Sequence, residues 1–165
     1  MMLRVGILTI SDKGSRGERT DASGPAIADC LRAAGHDPAW YGMVPDEKTE
    51  IADKLIELCD FKGMDVVLTT GGTGLSPRDV TPEVTMKVAD RMVPGIAEAM
   101  RSQTAAKAPR SMLSRGVAAT RGSTLIINFP GSPKAVRECM EVVLPVLEHA
   151  TAVLKGTVSE CATTQ

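Results

Sequence analysis

Residues 65–83 read DVVLTTGGTGLSPRDVTPE, and the fold turns on this stretch. After Asp65 comes a run of β-branched and apolar residues, Val66, Val67, Leu68, Thr69 and Thr70. Its length and composition are those of a buried strand. The run passes directly into Gly71-Gly72-Thr73-Gly74. Glycines in that place let the chain turn sharply and bring bare backbone amides close to a ligand. Successive amides in such a turn can form a nest for an anion. Asp79 follows, and then Thr81-Pro82-Glu83. That triplet predicts a helix start, with a capping hydroxyl, proline at the first helical position and an acid in the first turn. A cradle for an anion with a carboxylate beside it is what a nucleotide-and-metal site requires.

The stretch is not a standard phosphate motif. A P-loop would carry lysine and then serine or threonine after the last glycine, where Leu75 and Ser76 stand. A dinucleotide fingerprint would need a third glycine where Pro77 stands. The plain alternative is a tight strand-to-helix connection in which the glycines serve geometry alone. Glycine, hydroxyl and carboxylate occurring together at a strand's carboxyl end favour a ligand site.

Outward from this centre, strands alternate with helices. Residues 3–10 form an apolar strand, and residues 11–24 a polar loop long enough to be functional. Ser23-Gly24-Pro25 opens a helix to Ala34, ended by Gly35. A short strand over 39–44 follows, then a helix over 47–61 with Ile51, Leu55 and Leu58 at helical spacing. Helices are expected over 82–89 and 95–104. Strands at 116–120 and 123–129 pair through a turn at Arg121-Gly122. Ser132 caps a last helix that starts at Pro133, runs to about Lys155 and is expected to bend at Pro145. The apolar strands look buried on both faces, so the fold class is α/β: a three-layer α/β/α sandwich with a mostly parallel sheet. One domain is expected over residues 1–156, with a mobile tail over 157–165. Ligands of such sheets bind beyond the strands' carboxyl ends. Those ends are Ser11 onward, Pro45-Asp46, Gly71–Gly74 and Phe129–Ser132.

The 165 residues suit one domain with a sizeable core. Net charge is −1, which gives no bulk attraction to nucleic acid. Aromatics are 2% of the chain, too few for base-stacking platforms. No apolar run approaches membrane-spanning length, and MMLRVGILTIS reads as a strand rather than a signal peptide. Cys30, Cys59, Cys139 and Cys161 include no C-x-x-C pair, and Cys30, Cys59 and Cys139 read as helix-borne, buried thiols. A reducing cytoplasm suits all four. His36 and His149 stand apart from Ser, Cys and each other, and read as surface or helix-end residues. Chemistry here must proceed without a histidine base.

The segments TISDKGSRGERTDASGP, VPDE, TTGGTGLSPRDVTPE, MLSRGVA and INFPGSPKAV resemble the molybdenum-cofactor biosynthesis proteins of the molybdopterin adenylyltransferase type, a family that includes the amino-terminal domain of gephyrin. The resemblance spans residues 3 to about 155; the segment from Thr69 to Glu83 is specific, and VPDE alone is weak. It implies the same sandwich fold, a homotrimer, and transfer of adenylate from ATP to molybdopterin with Mg2+, releasing pyrophosphate. A partner enzyme or domain would then insert molybdate. By motif match, Asp46 and Asp79 take the positions of the two catalytic acids, also the candidate Mg2+ ligands. Thr70, Gly71, Gly72, Thr73 and Gly74 correspond to the nucleotide and phosphate loop. Asp12, Asp21 and Ser23 fall in the first ligand loop, and Ser114, Arg115, Gly131, Ser132 and Pro133 in segments near the pterin.

The residues themselves leave plainer roles open. Asp46 could cap the helix from Glu47, and Asp79 could cap the turn before Thr81. Arg78 and Arg115 are either phosphate partners or ordinary loop arginines. The alternative to the enzyme is a non-catalytic molybdopterin-binding scaffold of the same family. A third class is a nucleotide-binding α/β protein with another acceptor.

Overall fold

A computed structural model describes residues 2–158. Six strands form one sheet in the order β2-β1-β3-β6-β5-β4: β1 Val5–Ile10, β2 Pro38–Val44, β3 Val66–Thr70, β4 Arg91–Met92, β5 Ala118–Arg121 and β6 Thr124–Phe129. Strands β2, β1, β3 and β6 are mutually parallel; β5 is antiparallel to β6, and β4 to β5. Helices α2 (Ser23–Ala33), α5 (Pro94–Thr104) and α6 (Pro133–Leu154) cover one face, and α3 (Lys48–Ile56) and α4 (Thr81–Val88) the other. A single turn, α1, spans Asp12–Ser15. The expected three-layer sandwich is therefore the observed one.

The two-residue period of a strand divides the core. Val5, Ile7, Val66, Leu68, Leu125, Ile127 and Phe129 face α2, α5 and α6. Leu8, Ile10, Val67 and Ile126 face α3 and α4. Burying each large aliphatic contributes about 1.5–3 kcal/mol, which explains why apolar runs rather than alternating patterns mark these strands. Asn128 breaks the apolar rule on the α3/α4 side. It is buried, and its amide donates to Thr69 Oγ1 and Thr85 Oγ1, 3.0 Å each, while its oxygen accepts from the Val117 amide at 3.2 Å. One side chain thus ties β3, β6, α4 and the segment entering β5.

Register positions the loops. Ile10 pairs with Val44, Thr9 with Thr70, and Thr70 with Phe129. Four parallel strands therefore end at one level, and the loops that leave them meet at that edge.

Several details differ from the sequence reading. The polar segment after β1 contains α1, whose first turn Ser11 caps by accepting from the Gly14 amide at 3.0 Å. The helix expected over 47–61 ends as a π-helical turn, Glu57–Phe61. The hairpin turn is centred on Gly122-Ser123, because Arg121 pairs with Thr124. Strand β4 went unread because two exposed residues carry no period. His36 is buried, not a surface residue: its Nδ1 lies 3.5 Å from the Leu3 amide and its Nε2 3.5 Å from Glu148. Cys59 and Cys139 are buried as expected, and desolvation pushes both thiols up to about 11; Cys30 is only partly covered. The Thr157 amide donates to the Ala152 carbonyl at 3.0 Å. Residues 159–165 of the expected tail, Cys161 among them, lie outside the described residues. No helix among those residues is long and apolar enough to cross a membrane.

Replacing Asn128 by alanine strands the Val117 amide and the buried Thr69 hydroxyl, and takes one donor from the Thr85 hydroxyl, which keeps its bond to the Thr81 carbonyl. The expected loss is about 2–4 kcal/mol of unfolding free energy in urea denaturation. A change below half a kilocalorie would show that these groups find other partners.

Candidate functional site

The chain leaves β3 through two residues that cannot carry side chains. Gly71 and Gly72 have φ of 99° and 67°. A Cβ on Gly71 would sit 2.2 Å from the Ile10 carbonyl oxygen, and one on Gly72 would sit 2.3 Å from Thr81 Oγ1. The loop is thus wedged between the end of β1 and the start of α4. The Gly71 amide donates to the Phe129 carbonyl at 3.2 Å, and Thr70 Oγ1 to the Pro130 carbonyl at 2.7 Å, which binds this loop to the one after β6. Beyond Gly71, the amides of Gly72, Thr73 and Gly74 have no protein acceptor among the described residues.

Two cavities flank the loop. The larger, about 590 Å³, is walled by residues 71–75 together with Arg101, Ser114, Asn128 and Ser132. The smaller, about 390 Å³, is walled by Thr9, Asp21, Ser23, Asp46 and Pro133 among others. Gly71, Gly72, Asp79 and Gly131 line both. The four strand ends named from sequence therefore gather here. Arg115 and Asp12 lie behind the walls rather than in them.

Asp46 does not cap α3. The cap position is Glu47, with no side-chain bond, and the Asp46 carboxylate instead accepts from the Asp12 amide at 2.9 Å. Asp12 returns the bond, accepting from the Asp46 amide at 3.0 Å. Burial pushes the Asp46 carboxyl above its ordinary value, and the charges of Asp12 and Asp79 add to the rise. Asp12 moves the other way, because the Arg78 guanidinium hydrogen-bonds it. Asp79 does cap its turn, accepting from the Ser76 amide at 3.0 Å, while lining both cavities. Thr81 is not the expected N-cap: the cap position is Val80, and the Thr81 hydroxyl donates to the Gly71 carbonyl at 3.0 Å. Ser132 caps α6, accepting from the Ala135 amide at 3.5 Å.

Neither arginine is free. Arg78 spans Asp12 at 3.0 Å and Glu47 at 2.7 Å. Arg115 donates to the Gly74 and Asp79 carbonyls, 2.8 Å each, and pairs with Glu83. Asp21 is a heavily bonded carboxylate, accepting from Thr9, Ser23, Gly24 and Tyr41. Burial would raise it, but Tyr41, Thr9 at 2.7 Å and the Gly24 amide at 3.2 Å outweigh that and hold it below its ordinary value. Tyr41 is correspondingly pushed up to about 12, by desolvation first and then by Asp21.

Sequence reasoning passed over Arg101, which donates to the Ser114 and Gly116 carbonyls at 3.3 and 2.8 Å from the wall of the larger cavity. It also passed over Thr9 and Tyr41. None has a local signal: each reaches the site across strands or from a helix face.

Residues 6–149 match the model of a family described as a probable molybdopterin binding domain. The chain belongs to this molybdopterin-binding domain family. It is 42% identical over 156 residues to the molybdopterin adenylyltransferase of Helicobacter pylori, covering 93% of this chain and 89% of that one. It is 43% identical over 143 residues to the enzyme of that name from Escherichia coli, covering 86% and 73%. The crystal structure of the molybdopterin biosynthesis enzyme MoaB from Thermus thermophilus superposes with a TM-score of 0.89 at 54% identity, covering 94% of this chain and 98% of that one.

A carboxyl raised on folding lowers stability once it ionises. The Asp46 penalty is absent below the ordinary aspartate value of 3.8 and fully present above the raised one. Asp46→Asn should therefore raise the melting temperature of metal-free protein at pH 7, with the gain shrinking as the pH is lowered toward that ordinary value. A gain that stays constant with pH would mean the carboxylate is not penalised.

Proposed function

We infer that the chain is a molybdopterin adenylyltransferase, joining ATP and molybdopterin to give adenylyl-molybdopterin and pyrophosphate in molybdenum cofactor biosynthesis. The observation that carries this is the match over most of the chain to proteins of that name. The geometry supports it: a loop of bare amides with a carboxylate on either side, between two cavities large enough for two ligands.

The attacking group is a phosphate oxygen of molybdopterin, already an anion, so no base is required to create it. It forms a bond to the α-phosphorus of ATP, and the bond from that phosphorus to the bridging oxygen breaks, with the electron pair leaving on pyrophosphate. Catalysis is then positioning and charge neutralisation. The amides of Gly72, Thr73 and Gly74 receive phosphate oxygens, and Thr70 and Gly71 hold the loop to the neighbouring strands. Asp21, Ser23, Ser114, Gly131, Ser132 and Pro133 shape the rims on which the nucleoside and pterin rest, and Asp12 supports Asp46 from behind them.

The donor set fits magnesium. No group of three or more His, Cys, Asp or Glu gathers at ligand spacing among the described residues. Magnesium needs no such cage; it takes one or two carboxylates, waters and substrate phosphates. Asp46 and Asp79 would hold it, each with one oxygen engaged by an amide and the other accepting no hydrogen bond. Bound there, it would neutralise charge on the phosphates. The protein is read as a homotrimer whose product passes to a molybdate-inserting partner.

Adding molybdopterin to protein and ATP should release pyrophosphate, and Asp79→Asn should lower that rate by roughly 100-fold or more while leaving the melting curve in place. Tight pterin binding with no pyrophosphate from the wild type would favour the scaffold reading. Wild-type turnover in the variant would remove Asp79 from the chemistry.

A further inference from the structure

The carbonyls of the glycine loop are all spoken for. The Gly71 carbonyl accepts from Thr81 Oγ1 at 3.0 Å, the Gly72 carbonyl from the Thr81 amide at 3.2 Å, the Thr73 carbonyl from the Arg115 amide at 2.9 Å and the Gly74 carbonyl from Arg115 Nε at 2.8 Å. Thus two residues, from two separate segments, tether four consecutive carbonyls. No peptide bond among the described residues is cis. In a trans peptide the N–H points opposite to the C=O that precedes it. Drawing those carbonyls toward Thr81 and Arg115 therefore turns the N–H groups of Gly72, Thr73, Gly74 and Leu75 the other way. Those are the amides left without a protein acceptor among the described residues.

We propose that Thr81 and Arg115 are positioning residues: they set the peptide planes of residues 71–75 so that the loop presents its amides to phosphate before any ligand arrives. The proposal rests on the nucleotide reading above and deepens it. It reassigns Arg115 from a phosphate contact to a support. The guanidinium meets main chain at both ends of the Gly74–Asp79 segment and pairs with Glu83, so its charge and donors are committed inward. The positive φ of Gly71 and Gly72 permits this set of planes but does not select it, since glycine samples both signs of φ about equally. Selection falls to the tethers. Their hydrogen bonds are made on folding, so phosphate finds the amides already turned.

Thr81 gives the cleaner test. It is fully buried, and valine has its shape without the hydroxyl. Thr81→Val keeps the Thr81 amide's bond to the Gly72 carbonyl and removes the hydroxyl's bond to Gly71, so it should shift the Gly72 amide resonance most in the ligand-free protein and weaken binding of both ATP and inorganic tripolyphosphate by roughly tenfold, the worth of one hydrogen bond. Thr81→Ser keeps the donor and should restore both. Arg115→Met keeps the main-chain bond to Thr73 but loses the Nε bond to the Gly74 carbonyl, so it should move the Leu75 amide most and weaken the same two ligands. Direct contact between Arg115 and phosphate predicts weaker binding with unmoved resonances at 72–75 in the free protein, and would overturn the support role. Wild-type tripolyphosphate affinity in Thr81→Val would overturn the proposal while leaving the functional reading intact. A wild type that binds neither ATP nor tripolyphosphate would sink both.

Discussion

The site depends on a steric constraint: the chain must turn at the end of β3 with the Ile10 carbonyl pressed against it. No L-residue side chain fits there, since a Cβ on Gly71 would come within 2.2 Å of that oxygen. The constraint comes from the sheet itself. Strand β1 lies beside β3 with Thr9 opposite Thr70, so the carbonyl one residue further along β1 projects into the path of the turn. Glycine is the only residue that satisfies the sheet register and the turn together. The loop's tight seat on β1 is thus a consequence of where two buried strands end.

That seat is reinforced from the far side by main-chain contacts. Gly71 donates to Phe129, Thr70 Oγ1 to Pro130, and a Cβ on Gly131 would meet Gly71 Cα at 3.5 Å. Asn128, one residue before the end of β6, joins the same strands to α4. The loop after β6, the glycine loop and the start of α4 are therefore bonded to one another. A flexible glycine-rich segment would lose much of its phosphate affinity to ordering. Here the neighbours have already taken that freedom away.

How much of this the sequence disclosed follows from the range of the forces involved. The sheet was legible because β1, β3 and β6 are apolar runs whose burial on two faces leaves a continuous signature. The glycine loop was legible because a positive φ calls for glycine. Strand β4 was not, since two residues have no period. Thr81, expected to cap its helix, and Asp46, for which capping was one of two open readings, depart from local chemistry for a shared reason. Asp46 and Thr81 each stand where a local bond is available, and each makes a distant one instead: Asp46 to Asp12, Thr81 to Gly71. Arg115 was named from the sequence, but its bonds were hidden likewise, because the partners lie 36 and 41 positions away. Local chemistry predicts local bonds; a ligand edge built from four loops is held by bonds between them.

The charges at that edge are arranged at some cost to the fold. Asp12 and Asp79 both lie close enough to act on Asp46, and Arg78 hydrogen-bonds Asp12 and Glu47 rather than Asp46. Asp46 keeps one oxygen on the Asp12 amide, while its Oδ1 stands 3.1 Å from where a Gly72 Cβ would be. A fold selected for stability alone would bring a cation to that oxygen or replace the residue, since a half-buried carboxylate beside two others is a net penalty. The missing positive charge is one that a ligand could supply. Phosphates brought to the amides of Gly72 and Thr73 would worsen the repulsion unless a cation came with them. Donors for the anion and bare oxygens for its counter-ion therefore make sense only together, which is the physical reason to read the glycine loop and the two aspartates as one site.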